Sequence, residues 1–544
     1  MSETPADVTR LREKRKKLAH RRRRIVFNND GDDMQNPQAV TAAGLLEGRT
    51  TVLLGSQVDA IWYHSSHGLK LNQKESCFAR LYGHPDPGGL TTGNLQKLMA
   101  REGKDALEVM IDTCHERGIE IFWSNRMNDI HDSFRPEILT NIKREHPEYM
   151  LSTVEEGKKY GWKSWPDPRT RWSALDFERP EIRDLTVSAM HDICKTYDID
   201  GIELDFLRQE LYFRPTLERS AVEEEHLAVM NDMMRKLRAV TEEEGSRRGR
   251  PILLAARSAE TLQFSKDVGL DVETWLKENL IDVLVVGRTE LGFMVPGREL
   301  FDLAHDHEVP VYADLLRGHS EDSSGRDPKV WRGVAMYRFW EGADGVYIFN
   351  LFDPIVPMWW ELGETDKLAK TDKAYVWDWS SAASLIWQAG PPEGNLAEVL
   401  PKQRMHDLRP RPPMTVSEAG CEVVLMVGED LSAAPPSGKH RLLTLRVHMM
   451  GLSAEHRPAI KINGQPVGNI RVAHDFPGTI TFESAASGIL KKPADVWLVC
   501  RPDTALFHPG ENRVAVSARR FLSLPLGESD LPTVDQIRLD VDCV

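Results

Sequence analysis

Through the first two thirds of the chain, short apolar runs alternate with longer stretches whose apolar positions recur every three or four residues. The runs at 24–28, 60–64, 119–123, 201–205, 252–256, 283–287, 309–313 and 345–349 predict eight strands. Helical periodicity lies between most of them. The clearest case is 104–117, where Ala106, Leu107, Met110, Ile111 and Cys114 form one stripe and Gly118 stops it. Segments 181–197 and 221–244 behave similarly. Eight strand–helix units within the usual barrel length predict an α/β fold, a (β/α)8 TIM barrel. A doubly wound open sheet is the runner-up, but no glycine-rich phosphate loop supports it.

The pattern changes near Gln388. Ala389-Gly-Pro-Pro-Glu-Gly and Arg409-Pro-Arg-Pro-Pro are turn or linker signals. Beyond them, alternating runs at 441–448, 459–462, 494–499 and 512–517 predict a C-terminal antiparallel β-sandwich. The expected organisation is a basic segment at 1–23, a barrel at 24–395 and a sandwich at 396–544. The sandwich strands carry no convergent acids or histidines, and Trp497 reads as core.

One strand breaks the apolar rule. In 201–205, Ile202 and Leu204 face one way while Glu203 and Asp205 face the other. A charge in a core strand is costly unless it is paired or used. Two carboxylates on one face at a strand's C-terminal end suggest acid/base or nucleophilic chemistry, since barrels build their sites there. The other strand ends add Asn28, Asp30, His64, His67, Arg126, Asn128, Arg208, Arg257, Glu260, Arg288, Glu290, Asp314 and Asn350.

Composition narrows the partners. The chain has 544 residues and a net charge of −14, which argues against nucleic acid as the main partner. No apolar run is long enough to cross a membrane. The N-terminus lacks a secretory core, so a cytoplasmic protein, or one with its signal removed, is expected. Its basic stretch at 10–24 reads as a solvated helix packed on an acidic surface. Six scattered cysteines show no metal spacing and read as buried thiols. No cofactor is implied, and the oligomeric state is open. Trp62 and Trp123, among 14 tryptophans, lie beside polar residues and would suit sugar rings; the plain alternative for most of the tryptophans is core packing.

Two segments resemble the glycosyl hydrolase-like family 10 barrels. The first is Ala106-Leu-Glu-Val-Met-Ile-Asp-Thr-Cys-His-Glu-Arg-Gly-Ile-Glu-Ile-Phe-Trp123. The second is Leu175-Asp-Phe-Glu-Arg-Pro-Glu-Ile-Arg183, running on to Tyr197-Asp-Ile-Asp-Gly-Ile-Glu-Leu-Asp-Phe206. The stretch from His508 resembles sandwich modules appended to glycosidases. The resemblance implies a (β/α)8 fold and a carbohydrate substrate. It has departures: Glu203 stands where the family often has His, and Arg208-Gln-Glu-Leu-Tyr replaces a Tyr-Pro. Leu207 stands where chitinase-like barrels place their final Glu.

Asp205 is the first catalytic candidate, by position and by analogy with retaining barrels. A nearby arginine would keep it ionised. The plain alternative is a buried ion pair holding the barrel mouth. Glu203, deeper by two positions, reads as a support or sugar-hydroxyl acceptor. Glu290 ranks first as the second carboxylate, then Asp314, then Glu260; tight pairing of Glu290 with Arg288 would favour Asp314. The leading reading is a glycoside hydrolase with a carboxylate pair at the mouth, with an anionic sugar as one option because Arg126, Arg257 and Arg288 lie there. The alternatives are a non-catalytic carbohydrate-binding barrel and a metal-assisted lyase or esterase using His64, His67 and Asp30.

Overall fold

The computed structural model describes residues 5–64, 90–133, 135–159, 171–207, 210–218, 220, 222–259, 261–287, 297–315, 327–349, 351, 357–377, 414–433, 440–452, 456–473, 494–520 and 531–544. The eight predicted segments form β1 (Ile25–Asn29), β2 (Val58–Tyr63), β3 (Glu120–Arg126), β4 (Gly201–Asp205), β5 (Leu253–Ser258), β6 (Val283–Val286), β7 (Val311–Leu315) and β8 (Gly345–Phe349). They are parallel and pair in chain order, and β8 closes on β1 with Val346 opposite Ile25. This is a closed (β/α)8 barrel, not an open sheet.

Local chemistry sets the helices. Ala106–Glu116 starts with a capping box: the Asp105 carboxylate accepts the Glu108 amide, and the Glu108 carboxylate accepts the Asp105 amide. Its apolar stripe packs on the outside of the strands with that of Pro180–Thr196. Ile202 and Leu204 belong to this outer layer. The alternate residues fill the barrel interior, where Trp62 stacks on Phe122 at 4.9 Å and meets Tyr347 edge-on. A Cβ on Gly201 would lie 2.5 Å from the Phe122 ring, so the large aromatic side chain occupies the space beside this glycine.

The basic N-terminal segment closes the far end of the barrel. Helix Pro5–Ala19 lays Leu18 and Ala19 against the interior cluster. Arg15 pairs with Glu242 at 2.6 Å and with Asp282 at 3.1 Å, and buried Arg23 bonds Glu120 at 2.8 Å. These contacts make the cationic helix a docked cover on acidic surface.

The C-terminal part forms two antiparallel sheets around one apolar core. One contains Met414–Thr415, Thr533–Cys543, Arg441–Leu452, Ala494–Cys500 and Arg471–Ala473. The other contains Cys421–Val427, Gly510–Arg520, His456–Ile462 and Gln465–Pro466. The strand Lys373–Trp377 pairs with Thr533–Cys543, so a segment that precedes both linker signals lies in the first sheet. It packs against barrel helix Pro328–Glu341, where a Cβ on Gly333 would fall 2.1 Å from the Ala374 carbonyl oxygen. Lys329 to Asp542 and Arg538 to Asp327, both 2.6 Å, join the same surfaces. Trp497 is buried, as expected. The linker signals at 389–394 and 409–413 lie outside the described residues. Cys114, Cys194, Cys421, Cys500 and Cys543 are buried and form no disulfide among the described residues, and Cys77 is outside the described residues. Among the described residues, no helix is long and apolar enough to cross a membrane.

Candidate active site

Inward-facing side chains at the C-terminal half of the barrel form two polar tiers. In the deeper tier, Glu203 is fully buried. Its Oε1 accepts the Tyr347 hydroxyl at 2.6 Å, and its Oε2 accepts Asn28 Nδ2 at 3.1 Å. The Asn28 amide also donates to the Ser124 hydroxyl at 3.2 Å, and Ser124 hydrogen-bonds Glu203. Asn28 therefore supports Glu203 from inside the barrel.

The upper tier is built on Arg257. One guanidinium nitrogen donates to Asp205 Oδ1 at 3.1 Å, and another donates to Asp314 Oδ2 at 2.5 Å. The Leu207 amide also donates to Asp205 Oδ1 at 3.0 Å. The guanidinium lies 4.3 Å from the Phe349 ring centroid and 5.3 Å from that of Tyr347, a geometry for cation–π contact. Asp205 Oδ2 and Asp314 Oδ1 are both buried and have no hydrogen-bond partner among the described residues. Most buried polar side-chain atoms in folded proteins have a hydrogen-bond partner. Three other aspartate oxygens share this state among the described residues, and only Asp205 and Asp314 share it on one arginine.

Arg257 reaches Asp314 across β6, and Gly287, just past the end of that strand, leaves the room. Gly287 has φ +145°, and a Cβ there would lie 2.6 Å from the Asp314 Cβ. Gly287→Ala combines an unfavourable backbone angle with this overlap and is expected to cost about 1–3 kcal/mol, measured by urea unfolding. Wild-type stability in that variant would show that Asp314 can move aside freely.

At the rim, Arg126 pairs with Asp30 at 2.8 Å and with Asp129 at 3.1 Å, and Asp129 also holds His131. His64 Nδ1 sits 2.8 Å from the Ser124 carbonyl oxygen, which requires the proton on that nitrogen. Burial, then Arg126, pulls the His64 pKa down to about 4, so the ring is neutral at pH 7. Among the described residues, no group of three His, Cys, Asp or Glu could hold a metal ion.

Three expectations change. Trp62 lies below the mouth, stacked in the interior core, and offers no face to a sugar. Trp123 faces the outer layer, opposite in parity to Ser124 and Arg126. Asn128 donates to the Leu175 and Leu211 carbonyls and accepts the Leu175 amide, so its side chain clamps two loops. His67, Arg208, Glu260, Arg288, Glu290 and Asn350 lie outside the described residues. The structure brings together Glu203, Asp205, Arg257 and Asp314 among the expected residues, with Asn28 behind Glu203 and His64, Asp30 and Arg126 at the rim. Tyr347, Ser124, Phe349 and Gly287 were not expected there. Strand alternation carried a signal for three of them: Tyr347 and Phe349 share one face of β8, and Ser124 shares a face with Arg126.

Burial raises two of the inner acids, Glu203 and Asp314. Burial, then the neighbouring Asp205, pushes Glu203 up to about 8. Burial also raises Asp314, against the opposing pull of Arg257. Burial disfavours the charge on Arg257, but Asp314 and Asp205 outweigh it and hold the guanidinium cationic.

Residues 90–215 match the model of the family described as glycosyl hydrolase-like 10. That span contains β3 and β4, and so Arg126, Glu203 and Asp205; Arg257 and Asp314 lie beyond it. Among solved structures, the alpha-L-fucosidase isoenzyme 2 from Paenibacillus thiaminolyticus aligns at 14% identity over 64% of this chain and 49% of its own, with a TM-score of 0.37. The chitinase ChiW from Paenibacillus sp. aligns at 10% identity over 91% and 52%, TM-score 0.36. The GH36 alpha-galactosidase AgaA from Geobacillus stearothermophilus aligns at 11% identity over 96% and 56%, TM-score 0.35. The chain thus spans about half the length of each of these three proteins. No curated protein matches the sequence.

Proposed function

We propose that this chain is a glycoside hydrolase that cleaves an oligo- or polysaccharide between Asp205 and Asp314. One observation carries the reading: two carboxylates at the C-terminal end of a closed barrel each keep a buried oxygen without a partner among the described residues, while Arg257 anchors the other oxygen. The family match over residues 90–215 supports a carbohydrate substrate. Glycoside hydrolysis needs one carboxyl that gives a proton to the leaving oxygen and one that is ionised. Asp314, raised by burial, suits the acid. Asp205 then attacks the anomeric carbon or takes a proton from the attacking water, as the glycosidic C–O bond breaks and Asp314's proton passes to the leaving oxygen. Arg126 and Arg257 are both engaged by acids of the protein itself, which favours a neutral glycan.

The Arg257 clasp also suits a second reading, a carbohydrate-binding barrel without turnover, because the cation partly neutralises both acids. The test is incubation of the full chain with a panel of neutral and uronate-containing glycans, with chromatographic product detection, calorimetry and a control in EDTA. The expected result is product release from a neutral glycan, unaffected by EDTA, with a kcat/KM that rises and then falls with pH. Binding without release would establish the second reading. Loss of turnover in EDTA would favour the metal-assisted alternative.

A further inference from the structure

Glu203 is the buried acid that the proposed chemistry does not use. It faces the same way as Asp205, two residues deeper on β4. The barrel surrounds it with Asn28 from β1, Trp62 from β2, Ser124 from β3 and Tyr347 from β8. The cations of this region are Arg257 on β5, which forms its ion pairs with Asp205 and Asp314, and Arg126 on β3, which forms its ion pairs with Asp30 and Asp129. Val285 on β6 and Tyr312 on β7 complete the interior. Among the described residues, the hydrogen-bond partners of Glu203 are therefore all neutral. A buried carboxylate served only by neutral donors is costly and keeps its proton instead.

We propose that Glu203 is a positioning residue: a neutral carboxylic acid held by Tyr347, Asn28 and Ser124 behind Asp205, leaving the Arg257 charge to Asp205 and Asp314. The inference rests on the reading of Asp205 as the reacting carboxylate. The Ser124 hydroxyl offers the acid proton an acceptor, while Tyr347 and Asn28 donate to the carboxyl oxygens. Were Glu203 ionised, a second anion on the same strand face would compete for Arg257 and raise the Asp314 carboxyl further. The pKa raised to about 8 agrees with this arrangement and sets the pH at which it fails.

The linkage has a definite sign. Unfolded, the Glu203 carboxyl ionises near the ordinary glutamate value; folded, it holds its proton to about 8. Between those limits the folded chain binds more protons, so its stability falls as pH rises and levels off above about 8. E203Q removes that one dependence while keeping the shape of the side chain.

The test compares Tm for the full wild-type chain and E203Q across this pH range. The proposal expects the variant's Tm to gain on the wild type from pH 5 to pH 8 and the difference then to stay constant. A pH-independent difference would overturn it. Infrared spectra of wild-type protein labelled with 13C-glutamate need no variant: a protonated glutamic-acid band at pH 7 that vanishes on titration through about 8 supports the proposal. Absence of the band at pH 7 overturns it. On any glycan that the wild type cleaves, E203Q should not move the alkaline limb of kcat/KM upward, because a neutral side chain cannot raise the Asp314 carboxyl as an ionised Glu203 would. Complete loss of turnover in E203Q, matching that of D205N, would make Glu203 itself a reacting acid and overturn the positioning role. If no glycan is cleaved, the reading of Asp205 fails, while the Tm and infrared results still decide the charge state of Glu203.

Discussion

Replacing Arg257 by Met is expected to destabilise the fold by about 3–5 kcal/mol, the range for removing one partner from a buried ion pair. Arg257 is completely buried and is the cation shared by Asp205 and Asp314. Methionine fills much of the same length against Phe349 and Tyr347, so the loss isolates the charge more than the volume. Without the guanidinium, each acid must stay buried and uncompensated or take up a proton. Losing the cation that opposes burial raises the Asp314 carboxyl further, so the variant's deficit grows as pH rises above the ordinary aspartate value. Urea unfolding at pH 5 and pH 8, followed by tryptophan fluorescence, should show the larger deficit at pH 8. A loss under about 1 kcal/mol at both values would mean that water or a neighbouring loop already neutralises the acids. Lysine should rescue poorly, because one ammonium cannot fork to two carboxylates as a guanidinium does.

How much of this was legible in the sequence follows from strand parity. The eight strands could be read because their apolar runs sit between strongly periodic helices, and the 201–205 run stood out because Glu203 and Asp205 interrupt it on one face. The same rule separates Trp123 from the mouth: Arg126 faces inward, so Ser124 and Phe122 do as well, and Trp123 must face the helices. Trp62 has the inward parity but sits one level too deep, stacked on Phe122, and depth depends on register between strands that one strand cannot reveal. Asn128 lies beyond the end of β3, where alternation no longer applies, and its use as a loop clamp depends on Leu175 and Leu211 far along the chain. Gly287 could be read as the end of a strand, but its role depends on Asp314, 27 positions away in sequence and 2.6 Å from the glycine's would-be Cβ. In the sandwich, Thr533–Cys543 is not among the expected runs although Ile537, Leu539 and Val541 alternate along it, and Lys373–Trp377 precedes a long proline-rich stretch and joins its sheet only by pairing with the chain's last strand. The pairing of Asp205 with Asp314 through one arginine is likewise a property of strand order and register, which no single strand reveals. The two acids lie on β4 and β7: β5 pairs directly with β4, and Arg257 reaches Asp314 across the one intervening strand, β6.

Asp205→Asn is expected to reduce turnover by about ten-thousand-fold or more, the range seen when a reacting carboxylate or its equivalent is removed. Asparagine keeps the size of the side chain, and its amide oxygen can still accept from the Leu207 amide and Arg257. The fold should therefore survive, with a stability change far smaller than that of Arg257→Met. What is lost is the negative charge and the oxygen that has no partner among the described residues. Glycan binding, which draws on the rest of the mouth, should stay within a few-fold of wild type by calorimetry. The decisive measurement is product release by wild type and Asp205→Asn, side by side, on one glycan that the wild type cleaves. The expected result is release by the wild type and none by the variant, which still binds the glycan. Wild-type-like release by a folded Asp205→Asn would contradict the assignment and remove this carboxylate from the chemistry.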